Sequence, residues 1–437
     1  MSKTRISNVS ALRVWDSRGR PTVEAEVHLA DGSRGRAIAP AGASTGSGEA
    51  LDLRDGGAVL GGRDVQRALA NIRGEIADAL EGTDATDQSA VDALLCELDG
   101  TGDKSRLGAN ATVAVSMAVA HAAAAANGVP LWRYLKGSGA GPGAGDGDVT
   151  IPLPEIQIFG GGAHAGGRVD LQDFMIVATG AESFDQALVW TAEVYAAAGR
   201  LLDDAGKLRG VADEGGYWPE FDSNEEALEY LARAMEAAGL KPVDEVAIAL
   251  DVAASEFGRE GRYRLALDGD ELDSAAFTET MADWIARFPI VSVEDPLAED
   301  DEAGLRAFTS RFGERLQIVG DDYLVTDAGR VAHGALVGAC NAVLIKPNQA
   351  GTLTEARRAL EASRDVGWSA IVSARSGETE DTTIVHLAVG WGVPQLKVGS
   401  FSRSERMAKW NEVLRIETAL GGRGRFAGAA ALEGRST

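Results

Sequence analysis

Val246-Ala-Ile-Ala-Leu-Asp251 is a short apolar run that ends on a charged residue, and the C-terminal half of the chain repeats this design five more times. A short apolar run of this kind predicts a buried strand. The charged residues that close the six runs are Asp251, Glu294, Asp321, Lys346, Arg375 and Lys397. Their positions differ by 43, 27, 25, 29 and 22 residues. Each step is close to the length of one strand, one helix and two loops.

Strand patterns alternate with amphipathic helical patterns from Ile151 onward. The predicted helices cover residues 184–205, 224–238, 275–287, 302–312, 354–363 and 404–420. Such regular alternation predicts an α/β fold of the (β/α) barrel type. Because the C-terminal ends of parallel barrel strands open onto one mouth, we expect three acids to face two lysines and an arginine there.

The first 130 residues carry a different pattern. Alternating apolar and polar residues predict strands over 5–14 and 22–29, then a turn and a third strand that ends near Ile38. Helical patterns follow over 65–80, 88–98 and 109–126. We therefore predict an α+β lobe over residues 1–135, a glycine-rich linker over 136–148 and the barrel with the catalytic site over 149–437.

Composition narrows the class of protein. The formal net charge of −24 disfavours binding to nucleic acid or to anionic membranes. Two widely separated cysteines, Cys96 and Cys340, fit a reducing cytoplasm. The N-terminus lacks the apolar segment of a secretory signal, and the alanine-rich stretch 109–126 predicts a packed helix, not a membrane span. We expect a soluble, cytoplasmic protein without nucleic-acid or membrane partners.

Three acids at successive strand ends predict a metal site. A single acid at a strand end is usually solvated, but three carboxylates at one mouth repel each other unless a cation holds them. Oxygen ligands without a nearby histidine or cysteine cluster favour Mg²⁺. Lys346 and Lys397 are interpreted either as counter-charges to these acids or as catalytic groups. A divalent cation and a second ammonium group beside a lysine would lower its pKa toward that of a general base.

Eight motifs occur between about residues 5 and 420. They are Asp16-Ser-Arg-Gly19, Gly42-Ala-Ser-Thr-Gly46, Asp213-Glu-Gly-Gly216, Leu250-Asp-Val-Ala-Ala-Ser-Glu-Phe257, Glu294-Asp-Pro-Leu-Ala-Glu-Asp300, Lys346-Pro-Asn-Gln-Ala-Gly-Thr-Leu353, Ser373-Ala-Arg-Ser-Gly-Glu-Thr-Glu-Asp381 and Arg403-Ser-Glu-Arg406. In type and order they resemble the motifs of the enolase family. In that superfamily a lysine or histidine base and Mg²⁺ are known to stabilise an enolate-type intermediate.

The resemblance implies an enolase-type modified (β/α)8 TIM barrel whose first strands are not all parallel, and a homodimer or higher homo-oligomer. It also implies site residues, named here by their numbers in this sequence. Asp251, Glu294 and Asp321 would hold one tightly bound Mg²⁺. Lys346 would remove the C2 proton of a 2-phosphoglycerate-like acid, and Lys397 would help to bind the substrate carboxylate and enolate.

Further roles follow from the same resemblance. Glu214 would act as general acid for departure of the C3 hydroxyl. Arg375, Ser376 and His164 would hold the phosphoryl group. Ser44 would close over the site on a mobile loop and help to bind a second Mg²⁺. Gln172 would contact the substrate, next to the catalytic Asp173.

Two positions depart from the family pattern. Ala374 stands where enolases carry a histidine, and Asp173 replaces the usual glutamate. Both family residues lie near the leaving hydroxyl, so the metal and base side is intact and the leaving-group side is changed. A carboxylate displaced by near 1 Å can slow a reaction about 100-fold. We therefore predict a diverged enolase-type lyase that acts on a small phosphorylated or phosphonylated carboxylic acid.

The pathway stays open at this point. One enolase-like family makes carboxyphosphonoenolpyruvate in phosphinate antibiotic biosynthesis, and extra room at Ala374 is compatible with its substrate. The alternatives are a glycolytic enolase and a catalytically retired enolase kept as a binding or structural protein. Loss of catalysis would also relax the selection on the metal-binding acids and the lysines. These five residues nevertheless remain: Asp251, Glu294, Asp321, Lys346 and Lys397.

Overall fold

The structure is a computed structural model that describes residues 3–137 and 149–432 of the 437-residue chain. Its N-terminal lobe begins with β1 (Ile6–Trp15), β2 (Pro21–Leu29) and β3 (Arg34–Ile38), which pair antiparallel in this order. Gly19 and Gly32 adopt positive φ angles of 68° and 90° in the two connecting turns, a conformation that glycine takes without strain. The three predicted strands are confirmed.

Five helices follow in the lobe: α1 (Gln66–Asn71), α2 (Ala77–Leu80), α3 (Gln88–Asp99), α4 (Ala109–Ala126) and α5 (Leu131–Lys136). The helix predicted over 65–80 is divided by a π-helical turn, Ile72–Ile76, in which Gly74 leaves helical geometry at φ −102° and ψ −107°. Helix α3 begins where the Asp87 side chain accepts a hydrogen bond from the Ala90 backbone N–H.

Among the described residues, α4 alone is long and apolar enough to cross a membrane, but 83% of it is buried inside the protein. It packs against β2 and β3. A Cβ atom added to Gly35 of β3 would lie only 2.1 Å from the Ala118 carbonyl oxygen, so the glycine permits this close approach. The prediction of a packed core helix is confirmed.

The remaining strands are β4 (Val149–Ile151), β5 (Leu153–Gly160), β6 (Asp173–Val177), β7 (Leu208–Val211), β8 (Tyr217–Pro219), β9 (Ala247–Asp251), β10 (Gly258–Arg259), β11 (Arg262–Leu265), β12 (Asp270–Asp273), β13 (Ile290–Glu294), β14 (Gln317–Gly320), β15 (Ala342–Ile345), β16 (Ser369–Ser373), β17 (Gln395–Ser400) and β18 (Gly424–Phe426). The remaining helices are α6 (Phe184–Asp204), α7 (Asn224–Ala237), α8 (Ser274–Arg287), α9 (Glu302–Phe312), α10 (Ala328–Val337), α11 (Pro347–Ala350), α12 (Leu353–Asp365), α13 (Thr383–Trp391) and α14 (Ser404–Leu420).

Eight strands close the barrel in the order β5, β6, β9, β13, β14, β15, β16 and β17, with β17 pairing back to β5. Strand β6 runs antiparallel to both β5 and β9, whereas the other neighbours are parallel. The predicted α/β barrel is therefore confirmed, including the reversed strand implied by the family resemblance. Reversal brings the first residue of β6, Asp173, to the mouth, where it pairs with Gly160 of β5 and Asp251 of β9.

The structure refines three sequence predictions. Lys397 lies in the middle of β17, not at its end, and Arg375 follows β16 by two residues. Helices α5, α10, α11 and α13 were not predicted; α13 is buried on all sides and so has no amphipathic period. Of the predicted linker, Lys136 ends α5, and the positions after Gly137 lie outside the described residues. The domain boundaries themselves stay a prediction.

Candidate active site

Neighbouring strands bring three carboxylates to the mouth of the barrel. Asp173 pairs with Asp251 across β6 and β9, and Glu294 pairs with Asp251 across β13 and β9. Their side chains are almost fully buried, with exposed fractions of 1 to 3%. The sequence predicted this convergence for Asp251 and Glu294 from strand ends, and for Asp173 from the family resemblance.

Lys397 lies at the centre of these acids. Its Nζ atom is 2.7 Å from a carboxylate oxygen of Asp251, 2.7 Å from one of Glu294 and 3.7 Å from Asp173 Oδ2. Burial would lower the pKa of Lys397, but the attraction of the carboxylates, above all Asp251, raises it well above its ordinary value. Lys397 is therefore an ammonium ion at neutral pH.

Lys346 directly follows β15 and forms an ion pair with Asp321 Oδ2. The Gln349 amide donates to the other oxygen of Asp321 at 2.8 Å. Burial favours a lower pKa for Lys346, but Asp321 outweighs it, and the pKa is raised. The lowering predicted from the sequence applies to a lysine beside a bound divalent cation, and it stays a prediction.

The acids fit a hard divalent cation. Within residues 3–137 and 149–432, the buried Oε1 atom of Glu294 has no hydrogen-bond partner. Burial, together with the negative charge of Asp251, raises the pKa of Glu294 well above its ordinary value. A buried, crowded carboxylate with an unpartnered oxygen is stabilised by a cation, and an all-oxygen donor set suits Mg²⁺. Asp251, Glu294 and Asp321 would hold it.

Asp295 supports this donor set and was not predicted as a site residue. Its carboxylate accepts hydrogen bonds of 2.9 Å from the backbone N–H groups of Asp321 and Asp322. Asp295 directly follows β13 and has a φ angle of 42°. The only sequence signal was its position beside Glu294 in the quoted motif.

His164 and Glu214 lie next to Asp173 at the same mouth. The His164 Nδ1 atom is 3.8 Å from Asp173 Oδ1 and 3.7 Å from Glu214 Oε1. Gln157 donates to Asp173 Oδ1 and accepts from the Gly216 backbone N–H at 2.7 Å. Gln157 was not predicted as a site residue. Gln172 donates to Asp251 Oδ2 at 3.0 Å and also lines the cavity described below.

The two acids beside His164 differ in proton affinity. Burial and the nearby Glu214 charge raise the pKa of Asp173 to about 6. For Glu214, burial alone would raise the pKa, but the attraction of His164 and then of Arg406 and the lysines lowers it. Asp173 is therefore the more readily protonated of the two acids, whereas the resemblance assigned the general acid to Glu214.

Arg375 is held by a residue that sequence analysis missed. Its guanidinium donates to both Glu49 oxygens, at 2.9 and 3.2 Å, and to the Ser44 carbonyl at 2.9 Å. The Ser376 hydroxyl accepts a hydrogen bond from Arg18 at 3.2 Å. The predicted anion-binding residues Arg375, Ser376 and His164 line one cavity. The loop that carries Ser44 is hydrogen-bonded to Arg375.

These groups enclose a cavity of about 20 Å³, enough for about one water molecule. Ser44, His164, Lys346, Ala374 and Arg375 contribute to its wall. Ala374 is 6% exposed, and its backbone N–H donates to the Lys397 carbonyl at 2.9 Å. The loop that carries Ser44 forms part of the cavity wall, so a movement of this loop would change the space open to a substrate.

Comparison with known proteins agrees with this arrangement. Residues 6–135 match the family model described as "Enolase, N-terminal domain", and residues 148–434 match "Enolase, C-terminal TIM barrel domain". The fold and the site define a lyase of the enolase superfamily. More particularly, the chain belongs to the enolase family. Enolases typically use Mg²⁺, bind phosphorylated carboxylic acids and usually oligomerise.

Proposed function

We propose that the protein is a Mg²⁺-dependent enzyme that removes the C2 proton of a 2-phosphoglycerate-like acid and forms an enolpyruvate product. The observation that carries this proposal is the arrangement of Lys346 and Lys397 among Asp251, Glu294 and Asp321 at one buried mouth. Assembly as a homodimer or larger oligomer and a cytoplasmic location stay predictions.

The two lysines have different roles. Lys397 is fixed as an ammonium ion by Asp251 and Glu294, so it supplies positive charge to the substrate carboxylate and enolate. Lys346 has a single carboxylate partner, Asp321, and it becomes a base when that partner is engaged elsewhere. Bound Mg²⁺ would supply positive charge that stabilises negative charge on the substrate carboxylate.

The acid pair serves the leaving hydroxyl. Asp173 carries a proton up to about pH 6, and Glu214 lies with it around His164. A proton from this pair converts the departing hydroxide into water. We propose that the proton reaches the leaving hydroxyl either directly from Asp173 or from Glu214 after transfer from Asp173. Gln157 fixes the orientation of Asp173.

The anionic end of the substrate would bind Arg375, Ser376 and His164. The Ser44 carbonyl currently accepts from Arg375, so substrate binding must replace this hydrogen bond as the loop rearranges. We propose that Ser44 then closes over the substrate and helps to bind a second Mg²⁺.

Two substrates fit this chemistry. The small Ala374 side chain in the cavity wall leaves room for an acid bulkier than 2-phosphoglycerate. It therefore favours a carboxyphosphonoenolpyruvate product. The compact group of His164, Asp173 and Glu214 supports ordinary dehydration of 2-phosphoglycerate, the reaction of glycolytic enolase. We favour the first, because a histidine is replaced by alanine at a position that lines the cavity.

The test uses purified full-length protein with Mg²⁺ and 2-phosphoglycerate. Exchange of the C2 proton in deuterated water is followed by NMR, and enolpyruvate formation by ultraviolet absorbance. We expect exchange with slow dehydration, and Ala374→His should increase dehydration. Lys346→Ala is the control that should lose exchange. Rapid dehydration by the unmodified protein would instead identify a glycolytic enolase, and absence of exchange would identify a retired enolase.

A further inference from the structure

His164, Asp173 and Glu214 form a compact group with one nitrogen and two carboxylate donors. One donor atom from each lies within 4.8 Å of the others, and all three residues are buried. The His164 residue is only 7% exposed, and its Nδ1 atom has no hydrogen-bond partner in the part of the chain that the structure describes. This unpartnered nitrogen points between the two carboxylates.

The separations suit a shared cation better than direct hydrogen bonds. Nδ1 is 3.8 Å from Asp173 Oδ1 and 3.7 Å from Glu214 Oε1, beyond hydrogen-bond range. Two ligand atoms that each lie about 2.1 Å from a tetrahedral zinc ion are about 3.4 Å apart. The three side chains therefore need only small movements to share one ion.

Neighbouring groups already orient the Asp173 carboxylate, one of the three proposed metal ligands. Gln157, itself fully buried, donates to Asp173 Oδ1 and is fixed by the Gly216 backbone N–H. Partners of this kind orient metal-binding side chains and tune their affinity. The second oxygen of Asp173 faces Lys397 at 3.7 Å, which supplies a counter-charge on the far side.

We propose that His164, Asp173 and Glu214 bind a cation of the Zn²⁺ class at a site separate from the three-carboxylate Mg²⁺ site. An imidazole nitrogen selects for such borderline-soft ions, whereas Asp251, Glu294 and Asp321 offer only hard oxygen donors. The inference depends on these three side chains alone and not on the proposed substrate. An ion bound here occupies the acid pair, so it inhibits any reaction that uses the pair for proton transfer.

The test adds Co²⁺, a spectroscopic substitute for Zn²⁺, to the full-length protein after saturation with Mg²⁺. We expect one equivalent to give an intense visible absorption of four-coordinate cobalt, and added Zn²⁺ to remove it. His164→Asn should abolish this absorption. His333→Asn is the matched control, because His333 is exposed and pairs with Glu302 on the surface; it should leave the absorption unchanged.

A second variant separates ligand loss from misfolding. Gln157→Leu keeps all three ligands but removes the group that orients Asp173, so Zn²⁺ affinity measured by calorimetry should fall about 10- to 100-fold. Thermal stabilisation by Mg²⁺ verifies that each variant retains its fold. The proposal is overturned if the absorption never develops, if it persists in His164→Asn, or if Gln157→Leu binds Zn²⁺ as the unmodified protein does.

Discussion

Glu49 neutralises the arginine that we expect to bind the phosphoryl group, and replacing it by glutamine should have two opposite effects. The Glu49 and Arg375 side chains are 9% and 3% exposed, and their contact is bidentate. Glu49 also accepts hydrogen bonds from the Gly46 backbone N–H at 3.1 Å and from Gln349 at 3.2 Å. Glu49→Gln keeps the size of the side chain and removes its charge.

The first effect is a loss of stability. Removing one partner of a buried ion pair costs about 3–5 kcal/mol. The amide oxygen of glutamine still accepts one hydrogen bond, worth about 1 kcal/mol, so we expect a net loss of about 2–4 kcal/mol. The second effect is tighter anion binding. A carboxylate about 5 Å from a bound unit charge repels it by about 3 kcal/mol at an effective dielectric constant of about 20, equivalent to roughly 100-fold in affinity.

Thermal denaturation with and without inorganic phosphate measures both effects. Glu49→Gln should melt at a lower temperature than the unmodified protein. Its melting temperature should rise more than that of the unmodified protein when phosphate is added. Glu279→Gln is the control, because Glu279 makes a similar bidentate pair with Arg311 on the surface, where removal has little effect. If Glu49→Gln behaves like Glu279→Gln in both respects, Glu49 does not control the charge at Arg375.

Three further predictions concern the base, the metal and pH. Lys346→Ala should slow C2 proton exchange by about 10²- to 10⁴-fold, as expected for a general base; unchanged exchange by NMR would assign the base elsewhere. Asp321→Asn should abolish thermal stabilisation by Mg²⁺, and persistent stabilisation would remove Asp321 from the metal site. Burial and the neighbouring His121 lower the pKa of His386 to about 4, and the negative charge of Asp381, which raises this pKa, does not offset them. Because this pKa is below that of the unfolded chain, His386 stabilises the fold above about pH 6.5, and about 3 kcal/mol is lost as the pH falls toward 4. His386→Asn should therefore lose less free energy of unfolding between these pH values, and identical pH curves would contradict the assignment.

The sequence was sufficient to predict the residues that recur once per βα unit. Asp251, Glu294 and Lys346 end or follow buried strands, so a regular spacing was enough to place them at one mouth. The interior position of Lys397 was not predicted, because β17 continues past it with a register shift between Lys397 and Gly399. A shift of this kind leaves no periodic pattern in the sequence.

Residues that act through other side chains could not be predicted. Glu49 and Arg375 are 326 residues apart, and Gln157 reaches Asp173 only because β5 and β6 form an antiparallel hairpin. Such contacts depend on how the chain folds back on itself, not on local periodicity. The ion pair of Lys346 with Asp321 joins two different strand ends, and it agrees with the counter-charge interpretation of this lysine.

The reversed direction of β6 has an evolutionary consequence. Both ends of the connection over residues 161–172 open at the mouth, so His164, Gln172 and the adjoining Asp173 come from one continuous stretch of chain. The metal acids and the two lysines, in contrast, each come from a separate barrel unit. Exchange of this single stretch between related genes would replace most of the leaving-group side in one event. A change confined to this stretch would alter the proposed leaving-group side and leave the proposed metal acids and lysines in place.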